Sequence, residues 1–137
     1  MQRLNTLIFL LIVVAIIATL HLAGFEFQFY WRLYWYDRIV HTLSGFWVTF
    51  VTLQFTKKYT QADTFKIASV GLAAILIIGI LWEFFEYGIG ATSLSDLHFV
   101  SNSIGDLICD IAGGIIAIVM SIIIFRREQL WNNKKLS

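Results

Sequence analysis

The chain is 137 residues long, 58% hydrophobic and 16% aromatic against 14% charged, with a formal net charge of +1. That composition excludes an ordinary water-soluble domain, and the small net charge leaves no basic footprint for nucleic acid. A single cysteine, Cys109, excludes an internal disulfide, and there is no proline to interrupt a helix. The chain reads as an all-α integral membrane protein forming a single transmembrane domain over residues 1–137.

A hydrocarbon core ~30 Å thick takes roughly 20 helical residues to cross. Four segments meet that length, at about 5–24, 37–56, 66–90 and 104–125, and predict a four-helix bundle with connections at 25–36, 57–65 and 91–103. The first segment has Arg3 ahead of an apolar run, as a signal peptide does. Its Ala18–Gly24 end is only a weak small-residue cleavage site, so the segment reads as an anchor. His21, near the end of that segment, reads as interfacial. The connection FEFQFYWRLYWY holds eight aromatics in twelve residues, the pattern of an aromatic belt at the membrane interface, with a ligand-stacking platform as the alternative.

The second segment begins DRIVHTLSG, which places Asp37 and His41 one turn apart on one helix face, with Ser44 continuing the stripe. Asp37 also reads as the partner of its neighbour Arg38 in an interfacial ion pair. The third segment ends in WEFFEYG, where Glu83 lies among Leu81, Trp82, Phe84 and Phe85, three residues before Glu86. In the fourth, NSIGDLICDIAGG aligns Asn102, Asp106, Cys109, Asp110 and Gly113 on a single stripe. Cys109 reads as a small packing residue there. Gly45, Gly79 and Gly113 allow close helix approach around these stripes, while Gly71 and Gly114 need only a packing role. His98 reads as solvated in the last connection, or as a gate to the site. The tail RREQLWNNKKLS, 126–137, reads as a short solvated end.

Orientation follows from the basic residues. Arg3, Lys57, Lys58, Lys66, Arg126, Arg127, Lys134 and Lys135 fall on one side of a four-span layout, with only Arg32 and Arg38 opposite. Such a bias puts both termini in the cytoplasm and the polar stripes in the outer third of a plasma (inner) membrane. A carboxylate at the bilayer centre costs on the order of 3 kcal/mol, so acids at this depth need compensation, and the partners on offer to Asp37, Glu83, Glu86, Asp106 and Asp110 are His41 and Arg38. Either protons neutralise several of them, or a cation sits among Asp37, His41, Glu83, Glu86, Asp106 and Asp110. An oxygen-rich set with one imidazole suits a divalent metal: magnesium, manganese, calcium, iron or, with no thiolate among the ligands, less favourably zinc.

YDRIVHTLSG, WEFFEYG and GDLICDIAGG together resemble the YjdF-like family of small inner-membrane proteins over roughly residues 36–117, and more distantly the VanZ-like proteins linked to glycopeptide resistance. The resemblance implies that Asp37, His41, Gly45, Glu83, Glu86, Asp106 and Asp110 belong to one shared pattern. A metal-assisted hydrolase or transferase acting on a phospholipid or polyprenyl-phosphate headgroup is the reading for such an outward site, with Glu83, Glu86 and His41 as its catalytic groups. Two alternatives stand beside it, a non-enzymatic scaffold or lipid-binding protein and a cation or proton pathway. A pathway needs polar steps through the whole membrane, and the cytoplasmic halves carry no ionisable residue. Membrane lipids are the expected partners, and association with a second copy of the chain stays open.

Overall fold

The computed structural model describes residues 2–60, 63–89 and 99–136. His98, Gly90 and most of the 91–103 connection lie outside the described residues. The described chain is helical: α1 (Gln2–Glu26), α2 (Phe29–Arg32), α3 (Tyr34–Thr60), α4 (Thr64–Gly88) and α5 (Phe99–Leu136). Three of these contain stretches long and apolar enough to cross a membrane, Leu4–Glu26 in α1, Thr64–Gly88 in α4 and Val100–Lys134 in α5. The second expected span lies within α3, which at 27 residues has the length but is more polar. Its polar residues are accommodated because α3 packs against all the other helices, and His41 and Thr49 are buried between them.

Local chemistry explains the helix ends. Asp37 in the first turn of α3 and Lys57 and Lys58 in the last both complement the helix dipole. Asp63 caps α4, its Oδ1 accepting from the Phe65 and Lys66 amides at 2.9 and 3.2 Å. The segment 25–36 is not one extended interfacial connection. The chain turns at Gln28, whose φ of 58° is left-handed, and re-enters helix at Phe29. That turn splits the aromatic segment: Trp31, Tyr34 and Trp35 stay exposed, as a belt requires, while Tyr36 is buried. The tail is mostly exposed, as read, but it is helical, for α5 runs to Leu136, a rod of 38 residues and about 57 Å.

Packing holds α3 to α5 most closely. A Cβ at Gly45 would lie 2.7 Å from the Asp110 Cα, and one at Gly113 would run into the Thr42 carbonyl and lie 2.7 Å from the Phe46 amide nitrogen. The two backbones therefore touch, as small residues permit in membrane helices. Toward the end bearing Lys57, the core is Leu53, Ile67, Ile118 and Phe125, with a second cluster of Leu10, Phe50 and Ala117. An ion pair between Lys57 and Glu128, and a 2.6 Å bond from Arg126 to the Thr64 hydroxyl, tie that end across helices. α1 is fastened to α3 by two aromatic donors, Trp47 Nε1 to the Leu10 carbonyl at 2.9 Å and the Tyr36 hydroxyl to the Leu20 carbonyl at 2.5 Å.

Candidate functional site

The touching backbones of α3 and α5 bring their polar stripes face to face. His41, Asp106 and Asp110 are 5%, 0% and 4% exposed. His41 lies between two carboxylates, its Nε2 3.6 Å from Asp37 Oδ1 and its Nδ1 3.3 Å from Asp110 Oδ1. Asp106 Oδ2 accepts from Asn102 Nδ2 at 2.7 Å, one turn back along α5. Its Oδ1 lies 3.1 Å from Arg38 Nε without hydrogen-bond alignment, and is buried with no other partner among the described residues. The interfacial pair of Asp37 with Arg38 is thus replaced: Arg38 crosses to α5, and Asp37 pairs with His41. Gly105 makes room for this crossing, since a Cβ there would collide with the guanidinium. The Tyr34 ring lies under Arg38 at 5.1 Å, a cation–π contact.

α4 contributes the third wall. Glu86 Oε1 accepts from Trp82 Nε1 at 2.9 Å, one turn earlier. Glu83 is half-buried, and its Oε1 has no hydrogen-bond partner among the described residues. Gly79 faces Asp110, whose Oδ2 would lie 3.0 Å from a Cβ placed there, so this glycine clears space for a site carboxylate. Gly71 and Gly114 instead accommodate Ile118, Thr49 and Ile75, which is ordinary packing.

These groups border a cavity of about 370 Å³ lined by α1, α3 and α4, with Tyr30 of α2 and Asp110 of α5. Its polar lining includes Asp37, His41, Ser44, Glu86 and Asp110, and its apolar lining includes Val14, Ile17, Ile75 and Ile78. The size falls in the ~300–1,000 Å³ range of small-molecule sites. His21, expected only at the interface, also lines it, its Nδ1 2.8 Å from the Tyr30 hydroxyl and its ring 6.0 Å from that of Trp82. Burial, with the Asp37 charge second, pushes the Tyr30 phenol up, so its hydroxyl stays neutral at any ordinary pH.

Of the six candidate ligands, the structure brings Asp37, His41 and Asp106 into one group, with one donor atom from each within 4.8 Å of the others. Donors sharing one ion at 2.0–2.6 Å lie at most about 5 Å apart, so this trio fits a divalent cation. Asp106 Oδ1 is buried and accepts no aligned hydrogen bond, so this group retains an unsatisfied acceptor. Asp110 stands behind His41 at Nδ1, where metal-bound imidazoles are usually held by a carboxylate. Glu86 borders the cavity without joining the trio, and Glu83 belongs to neither set. Sequence reasoning missed Tyr30 as part of the site, and offered Arg38 as a counter-charge to the acids without assigning it to Asp106. Tyr30 was legible only as one aromatic among many.

A family described as predicted membrane protein (DUF2238) matches residues 2–127. The YjdF-like family that the motifs resemble is this same family. No curated protein and no solved structure matches the chain.

Proposed function

The chain belongs to the DUF2238 family of predicted membrane proteins, and from that premise we propose that it is a lipid-headgroup hydrolase or transferase built on a divalent-cation site. The observation that carries this reading is one cavity with apolar walls on α1 and α4 and a polar end of Asp37, His41, Glu86 and Asp110. A membrane lipid has that same division, hydrocarbon and polar head. The chain crosses the membrane four times as one domain, α3 included, and the basic residues at Lys57, Lys58, Lys66, Arg126 and Arg127 keep both termini in the cytoplasm. The site then opens toward the outer face of the plasma (inner) membrane.

In this reading Asp37, His41 and Asp106 hold the cation. Carboxylate oxygens with one imidazole favour magnesium, manganese, calcium or iron over zinc. When bound, such a cation would polarise a phosphoryl oxygen or lower the pKa of a water. Asp110 orients the His41 ring from Nδ1, and Arg38 offsets the charge of Asp106. Glu86, on the cavity wall, is placed to take or return a proton, with Glu83 one turn below as a reserve carboxylate. His41 can share that proton work only while it is not a ligand.

The test is elemental analysis of the purified full chain beside its Asp37→Asn and Asp106→Asn variants. About one equivalent of divalent metal is expected in the wild type, with a loss of affinity of at least about tenfold in each variant. A folded, metal-free wild type would sink the cation site. It would favour the second reading, a scaffold whose helix register is fixed by charge pairs, for which the Arg38–Asp106 and His41–Asp110 contacts are the supporting observation.

A further inference from the structure

Among the described residues, α1 and α4 both pack on α3, while their backbones stay apart from each other. The cavity lies in this gap, with Val14 and Ile17 on one side and Ile75 and Ile78 on the other. On α3 its lining runs from Asp37 to Val48 and on α4 from Ile75 to Glu86, a rise of about 16 Å from end to end in each case. It is therefore an elongated slot parallel to the helix axes. Ile78 is 44% exposed although it lines the slot, so the wall continues onto the outer surface of the bundle. That surface faces hydrocarbon in any orientation that buries α1 and α4 in a bilayer. At the polar end the slot is narrowed by the facing His21 and Trp82 rings.

The charge at the polar end selects what can lie there. Asp37, Glu86 and Asp110 line it, and among the described residues neither lysine nor arginine does; Arg38, next to Asp37 in the chain, is committed to Asp106. An anionic headgroup would meet three carboxylates with no lysine or arginine to receive it, and of the two imidazoles there His41 already lies between Asp37 and Asp110 while His21 contacts Tyr30. A primary ammonium offers three N–H donors to such a surface. We infer that the gap between α1 and α4 is a lateral portal through which one hydrocarbon chain of an aminophospholipid enters from the bilayer, with its ammonium against Glu86 and Asp110. This rests on the lipid part of the proposed function and names its substrate class. The phosphate of the same headgroup would lie toward the His41 imidazole.

The experiment uses the full chain in nanodiscs of equal phosphatidylethanolamine and phosphatidylglycerol. The protein is re-extracted in mild detergent, and the lipid retained per protein is measured by mass spectrometry together with the metal content. Wild type should retain phosphatidylethanolamine over phosphatidylglycerol by about tenfold, the discrimination one charge-assisted contact supplies. Glu86→Gln should bring that ratio toward one at unchanged metal content, and Ile78→Trp, at a partly exposed position that tolerates bulk, should lower retention of both lipids. Equal retention of the two lipids by wild type, a preference for phosphatidylglycerol, or unchanged retention in Ile78→Trp would each overturn the portal assignment. Metal-free wild type that still selects phosphatidylethanolamine would remove the cation but leave the portal. Metal-bound wild type without that selection would do the reverse.

Discussion

At the scale of single residues, the decisive contact is between Arg38 and Asp106, where a carboxylate with no exposed surface meets a guanidinium from another helix. Removing one partner of a buried pair leaves the other charge uncompensated, while removing both at once is often nearly neutral. Asp106→Asn should therefore destabilise the protein by about 2 kcal/mol, scaled down because Arg38 is partly exposed, and Arg38→Met with Asp106→Leu should recover most of that loss. Thermal unfolding in detergent of the two singles and the double checks this. A double variant as unstable as the sum of its singles would show that the contact is not a pair in energetic terms. The sequence exposes half of this arrangement. Asp37 and His41, or Asn102, Asp106 and Asp110, share faces by helical period alone, so their grouping is readable without coordinates. Arg38 points away from the Asp37 face, and its partner lies 68 positions further along the chain. No local pattern announces such a pairing.

Among the elements, the closest association is α3 with α5, and it depends on two glycines set against backbone. A methyl group at either position must push the helices apart, and overpacking of this kind costs about 1–3 kcal/mol. Gly113→Ala, facing the Thr42 carbonyl, is expected to show such a loss and also to weaken metal binding, because Asp110 and His41 would separate. Gly114→Ala faces side chains at 3.0–3.5 Å that can shift, and should cost less. Equal effects of the two substitutions on stability would contradict this account. The helices α1 and α4 were legible from their apolar length, as was the apolar part of α5 but not its run past residue 125. The limits of α2 and α3 were not, because the break at Gln28 uses a left-handed residue that is neither glycine nor asparagine. That turn folds Tyr30 and Tyr36 inward from a segment whose composition reads as a uniform belt.

For the molecule as a whole, the charge distribution separates an acidic end from a basic one. Lys57, Lys58, Arg126, Arg127 and Lys134 gather at the end away from Asp37, partly along the portion of α5 that extends beyond the length a bilayer requires. Reporter fusions at Ser137 should give a cytoplasmic signal, and an outward signal would reverse the orientation and with it the face of the membrane on which the site opens.

The contrast between the two helix pairs has a mechanical consequence. α3 and α5 meet backbone to backbone at Gly45 and Gly113, where no side chain stands between them to compress, whereas α1 and α4 meet each other only through side chains such as His21 and Trp82. A bilayer that becomes thicker or thinner makes its helices tilt, at a modest cost per ångström of mismatch. The tilt will fall on the pair that is free to move. The spacing of Asp37, His41 and Asp106 is thus insulated from membrane thickness, and the width of the slot beside them is tuned by it.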